Sequence, residues 1–172
     1  MLKARIEHEF ECDQETFWRR IFFDEAFNRR LFSEHLGFSR WTLVSQDERD
    51  DAIVRVVEVI PAVGDLPAPL KALVGEGLGY RERGRFDRRT RRYQVEAIPS
   101  RLAERLSISG FIECRAAGNQ RCCRVFDVEI AAKVFGLGTT LERRILSDLQ
   151  QSYDQSADFI RRELATGSLA AC

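Results

Sequence analysis

Few side chains in this sequence have proton chemistry to offer: His8, Glu58 and Tyr153, with Ser152 and Ser156 as further hydrogen-bonding groups. His8 falls on the apolar side of an alternating segment, where a neutral imidazole needs a hydrogen-bond partner. Tyr153, a strand carboxylate or a ligand hydroxyl would each serve. As a general base His8 would suit cyclisation or hydrolysis. With only two histidines and no nucleophile pattern nearby, a core histidine with satisfied hydrogen bonds is favoured, and no catalytic residue is assigned. Glu58 shares strand parity with Val54, Val56 and Ile60. It can therefore point inward, to pair with an arginine such as Arg124 or to hold the polar end of a ligand. Ile53, Val57 and Val59 occupy the opposite parity, so a solvated or ion-paired Glu58 is the favoured alternative. The same holds for Glu96, Glu113, Asp127 and Glu129.

Metal and cofactor chemistry have little to build on. The five cysteines (Cys12, Cys114, Cys122, Cys123, Cys172) are odd in number and contain no C-x-x-C pair, so reduced, buried thiols are expected. His8 and His35 are too few to complete a zinc site with scattered thiols. Gly75-x-Gly77-x-Gly79 lacks the lysine of a phosphate-binding loop and reads as a set of hinges. No metal and no cofactor are expected.

Charge is concentrated in one place. Arg81, Arg83, Arg85, Arg88, Arg89, Arg91 and Arg92 crowd a single hairpin, and alternation puts Arg81, Arg83 and Arg85 on an outward face opposite Tyr80 and Phe86. Such a face suits transient contact with an anionic membrane, at about 1 kcal/mol per well-placed basic residue, or contact with a protein partner. Nucleic acid is the disfavoured partner: no aromatic platform interleaves the arginines, and Lys plus Arg equals Asp plus Glu at 27 each. A face neutralised by Glu9, Glu96 and Glu113 is the plain alternative.

The elements that must position these groups follow from periodicity. Residues 2–11 alternate, with Leu2, Ala4, Ile6, His8 and Phe10 on one side, as in a half-buried strand. Asp13 caps a short helix carrying Phe17, Trp18, Ile21 and Phe22, and a second runs over residues 24–35 until Gly37. Residues 39–46 and 52–60 form a hairpin. Residues 62–79 hold Pro67, Pro69 and four glycines around Leu70-Lys71-Ala72-Leu73-Val74, a mobile loop with one or two helical turns. Strands follow at residues 80–87, 92–98, 103–115 and 122–133. A long amphipathic helix closes the chain over residues 138–164, its stripe formed by Leu141, Ile145, Leu149, Tyr153, Ile160 and Leu164. At 172 residues and 44% hydrophobic content this is one soluble domain, residues 1–166, with residues 167–172 a flexible tail. No membrane-length apolar stretch or secretory leader is present, so a cytoplasmic location is expected. Oligomeric state is left open.

This order, ending in Gly136-Leu137-Gly138 and then Leu141, Glu142, Ile145, Leu149, Tyr153, Phe159 and Ile160, resembles the helix-grip fold. That fold is shared by START-type lipid-transfer domains, birch-pollen-allergen-like proteins and polyketide cyclases, the SRPBCC superfamily, and the likeness is to a bacterial branch mostly of unknown function. The resemblance implies an α+β architecture: a curved antiparallel sheet wrapped around a long C-terminal helix, with two short helices after the first strand. It places a gate at residues 61–79 and a cavity between sheet and helix. The wall would then comprise Ile6, His8, Phe10, Trp41, Leu43, Val56, Glu58, Leu73, Leu106, Ile108, Ile112, Phe126, Val128, Ile130, Leu149, Ser152, Tyr153 and Ser156. Three functions follow in order of preference: binding and transfer of a hydrophobic ligand, lipid or sterol-like; a cyclase, aromatase or hydrolase using the same cavity; and a regulatory module whose partner docks on Arg81, Arg83, Arg85, Arg88 and Arg89.

Overall fold

The computed structural model describes residues 1–62, 64–75 and 78–169. Seven strands, β1 (Leu2–Phe10), β2 (Arg40–Glu48), β3 (Ala52–Ile60), β4 (Tyr80–Asp87), β5 (Arg92–Pro99), β6 (Leu106–Ala116) and β7 (Cys122–Ala132), form one antiparallel sheet in the order β1-β7-β6-β5-β4-β3-β2. The first two strands lie at opposite edges, so the chain between them must cross a face of the sheet. That crossing is made by α1 (Gln14–Thr16), which widens into a π-helical turn over Phe17–Phe22, and by α2 (Glu25–Arg29), which widens likewise over Arg30–His35. Asp13 and Asp24 cap the two starts, accepting the backbone N–H of Thr16 and Phe27, each at 2.7 Å. Asn28, buried between the segments, donates to the carbonyls of Ile21, Phe22 and Asp24 and ties them together. Trp18 packs on Phe86 with ring centroids 4.6 Å apart, anchoring the crossing to β4.

The long helix α4 (Gly138–Ala165) lies on the same face and contacts β1, β7 and the end of the α2 segment. Its start is pinned to β7. Glu142 accepts the backbone N–H of Ala132 at 2.9 Å, and a side chain at Gly138 would press on the Ala132 carbonyl. Leu141 is buried at one end of its stripe, and Ser156, Ala157 and Ile160 at the other. Between them Ile145, Leu149 and Tyr153 are only partly covered. The middle of the helix therefore stands off from the sheet. A curved antiparallel sheet against one long C-terminal helix is the helix-grip arrangement.

Three sequence expectations shift. The sixth strand begins at Leu106 rather than residue 103, because Leu102 takes a positive φ of 63° and the chain turns before pairing. A bulge between Leu43 and Ser45 interrupts β2. Leu169, assigned to the tail, is buried in the main core, and residues 170–172 lie outside the described residues. Cys12, Cys114 and Cys122 are buried free thiols, and Cys12 Sγ lies 3.9 Å from Cys122 Sγ. Hydrogen bonding to Cys122, then burial, pushes the Cys12 thiol up, while a hydrogen bond with Cys114 leads the rise of Cys122 to about 12. Such thiols are unreactive. Cys172 lies outside the described residues.

Gly84 in β4 is required by close approach. The Tyr93 side chain crosses the space where a Cβ at Gly84 would be, overlapping its ring and hydroxyl. Replacing Gly84 with Ala is expected to displace Tyr93 and destabilise the fold by about 1–3 kcal/mol, read as a lowered urea midpoint with an unchanged m-value.

Candidate functional site

The stand-off of α4 from the sheet encloses a cavity of about 260 Å³. Its apolar wall is drawn from every layer: Ile21 and Phe22 from the crossing, Val59 and Val95 from the sheet, and Ile145 and Leu149 from α4. The mouth is bounded by Pro61, Ala62, Leu66, Leu78 and α3 (Ala68–Val74), whose Leu70 and Val74 are buried against Leu141. Arg144 of α4 closes one side, donating to the Asp65 carbonyl at 2.8 Å and to Asp148 at 2.9 Å. Gly75, at φ 69°, ends α3 as a hinge would. Gly77 lies outside the described residues.

The sheet side of this apolar chamber carries a buried ionic cluster. Arg55, on β3, is 6% exposed; it donates to Glu82 Oε1 at 3.0 Å and to the Phe22 carbonyl at 2.7 Å. The Tyr93 hydroxyl donates to the same Glu82 oxygen at 2.9 Å. The Arg55 guanidinium also lies over the Phe22 ring, 4.5 Å from its centroid. Burial opposes the Arg55 charge, but Tyr93 and Glu82 more than offset it, and the guanidinium stays above its ordinary value. Burial raises the phenols of Tyr80, Tyr93 and Tyr153, so all three remain protonated hydrogen-bonding groups at neutral pH.

A second arginine, Arg124 of β7, faces α4. It donates to Ser156 Oγ at 3.2 Å, the Tyr153 carbonyl at 3.1 Å and His8 Nδ1 at 3.1 Å, and its guanidinium lies 4.6 Å from the Tyr153 ring centroid. Burial draws its pKa down to about 10, which still leaves it charged at neutral pH.

The structure brings Trp41, Leu106, Ile108, Ile112, Phe126, Leu149, Ser152, Tyr153 and Ser156 to the cavity wall. The other assignments are corrected. Ile6, Phe10, Val128 and Ile130 face inward but are buried in the packed core, where α4 lies directly on β1 and β7. Leu43 packs beside Trp41, and Leu73 beside Leu70 and Val74, each away from the chamber. Val56 and Glu58 point outward, since Arg55, Val57 and Val59 take the inner parity of β3. Glu58 accordingly pairs with Arg81 on the outer face and not with Arg124. His8 is also outside the cavity, held between Arg124 and Asp154, whose Oδ1 is 2.7 Å from Nε2.

Sequence reasoning missed Arg55, Glu82, Tyr80 and the aromatic wall from the crossing. Glu82 was findable, because it shares parity with the inward Tyr80 and Phe86. No comparable signal marks Arg55. The outward prediction for Arg81, Arg83 and Arg85 holds, but the face is largely neutralised. Arg81 pairs with Glu58, Arg85 with Asp51, Arg88 with Glu48, Arg91 with Glu15 and Arg92 with Glu113. Among the described residues no His, Cys, Asp and Glu group forms a metal-binding cluster, and no helix is long and apolar enough to cross a membrane.

His8 generates a pH prediction. Burial first, then the Arg124 charge, lowers its pKa against the opposing pull of Asp154. A histidine depressed on folding contributes stability fully present above its unfolded pKa of about 6.5 and lost as pH falls through the folded value. Thermal unfolding of the wild type should therefore lose more stability between about pH 7 and pH 5 than His8→Gln, which cannot titrate. Parallel Tm profiles for the two proteins would remove His8 as the cause.

Solved structures share the whole architecture. TTHA0849 from Thermus thermophilus is 10% identical, with a TM-score of 0.66, covering 97% of this chain and 99% of that one. The Zhui aromatase/cyclase from Streptomyces sp. R1128 is 13% identical (TM-score 0.61, 95% and 96% covered). Norcoclaurine synthase from Thalictrum flavum is 15% identical (TM-score 0.62, 97% of each chain covered). At these identities the likeness shows the fold alone, a curved antiparallel sheet closed by one long C-terminal helix. No curated protein matches the sequence. The family model described as protein of unknown function DUF2505 matches residues 5–164, and the chain belongs to that family.

Proposed function

We propose that this protein binds and carries a small hydrophobic ligand, lipid or sterol-like in character, between the sheet and α4. The observation that supports the reading is an apolar chamber of about 260 Å³ with a few fixed polar groups in its wall. Binding sites of this kind are mostly apolar, with a small number of placed polar groups. The chamber is larger than the roughly 150 Å³ that admits benzene, so a single acyl chain or a compact ring system suits it. Affinity would come mainly from desolvation, at about 25 cal/mol per Å² of apolar surface buried. Passage in and out requires α3 and its flanking segments to move away from α4, against the Arg144–Asp65 hydrogen bond.

One observation favours a second reading, an enzyme of cyclase or hydrolase type: a carboxylate, Glu82, sits on the cavity wall. It is already committed to Arg55 and Tyr93, and His8 is too far back to act on a ligand. Those engagements support a carrier over a catalyst.

Native mass spectrometry followed by organic extraction tests the container, and a stoichiometric apolar adduct is the expected result. The neutral fluorophore N-phenyl-1-naphthylamine should bind one to one. Ser152→Phe, which fills the wall opposite the sheet, is expected to weaken it about tenfold, or ~1.4 kcal/mol, without unfolding. The absence of both an extractable ligand and fluorophore binding would sink the proposal. Turnover lost in Glu82→Gln with ligand binding retained would establish the enzyme instead.

A further inference from the structure

Charge balance inside the chamber says more about the ligand than its apolar wall does. Glu82 neutralises Arg55 at 3.0 Å, and Arg144 and Asp148 form their own pair at the mouth. Arg124 is different. Among the described residues no carboxylate lies within 4.0 Å of its guanidinium, and its three hydrogen-bond partners are a hydroxyl, a backbone carbonyl and the Nδ1 of His8. With Arg124 donating to Nδ1, the His8 proton sits on Nε2 and is offered to Asp154, so the imidazole is neutral. Asp154 reaches Arg124 only across that ring, and its side chain is 70% exposed, where water screens it. Arg161 adds a like charge nearby. Arg124 itself is 6% exposed, lines the cavity, and leaves its buried Nε–H without any partner. A buried cation lacking a counter-charge is costly unless something supplies one.

We infer that the ligand carries a carboxylate at its polar end and that Arg124 receives it, an inference that rests on the container reading above. The remaining N–H on Nη1 would be the donor, since Nε–H leaves by the opposite edge of the guanidinium and is closed off from open space, and guanidinium–carboxylate bonds are among the stronger ones available to a buried site. Ser152 and Ser156, one helical turn apart, both line the cavity on α4, and Ser156, whose hydroxyl donates to the Tyr153 carbonyl, accepts from Arg124. A monoanion matches the single uncompensated charge. A dianionic phosphate would overshoot it, and Glu82 on the same wall would repel the excess.

Two matched pairs test this by calorimetry at pH 7.5: decanoate against 1-decanol, and 2-naphthoate against 2-naphthylmethanol. Each pair holds the apolar body nearly constant and changes the head. The wild type should prefer the acid of at least one pair by about tenfold or more. Which pair responds distinguishes an acyl ligand from a ring ligand. The acid-to-alcohol ratio should collapse towards unity in Arg124→Met and be partly kept in Arg124→Lys. Equal affinity for acid and alcohol in the wild type overturns the inference while leaving the container standing, and this comparison needs no variant to fold. A preference that survives in folded Arg124→Met assigns the anion to another group and also overturns it. If no member of either pair binds a protein that does bind N-phenyl-1-naphthylamine, the inference is overturned and the container stands; if the fluorophore also fails to bind, the container reading falls with it.

Discussion

A carboxylate inside a protein must be neutralised and hydrogen-bonded, and Glu82 joins the layers of the molecule by being both. One of its oxygens accepts Arg55 from β3 and Tyr93 from β5, while Glu82 itself is on β4. Arg55 in turn donates to the carbonyl of Phe22, so the last turn of the first crossing helix is tied to the centre of the sheet. Gly84 keeps its side of β4 bare to let Tyr93 reach across. Four elements thus meet at one ionic group. Removing a single partner would leave a buried charge exposed to an apolar chamber, which is far more costly than losing an ordinary surface pair.

The closing helix serves two purposes along one stripe. Its ends bury Leu141, Ala157 and Ile160 against the rest of the fold, while Leu149 and Ser152 between them face the chamber and Tyr153 stacks on Phe126 at its edge. Packing at the ends sustains the void in the middle, because a helix pinned at both places cannot settle onto the sheet. The pin at the start is the close approach of Gly138 and Glu142 to Ala132, and Ala157 and Ile160 hold the other end.

The two interior arginines divide along the same lines. Arg55 is neutralised within the protein and belongs to the scaffold, while Arg124 is surrounded by neutral partners and shares the chamber wall with whatever enters. His8 insulates Arg124 from Asp154, and its own low proton affinity follows from lying between burial and that arginine. The arginine-rich hairpin, by contrast, spends most of its charge on carboxylates of neighbouring strands, a loop and α1.

Much of this was legible in the residues. Alternation in β1 and β4 assigned their faces, the stripe of α4 announced a helix needing a sheet, and the order of elements pointed to the helix-grip fold. Parity in β4 also places Glu82 inward beside Tyr80 and Phe86, a signal the sequence reading passed over. β3 could not be read the same way, since apolar residues fill both of its faces and periodicity has no contrast to work with. Its orientation follows from Arg55, a residue that burial rules place outside until Glu82, Tyr93 and the Phe22 carbonyl are known to converge on it. The same limit separates wall from core: Phe126 and Ile130 share a face of β7, yet one meets the chamber and the other is fully packed. Sequence by itself determined which side of each clearly alternating strand looks inward. Only the tertiary structure decided what lies there, because the gap between helix and sheet is set by where the two ends of α4 meet strands and segments distant from it in the chain.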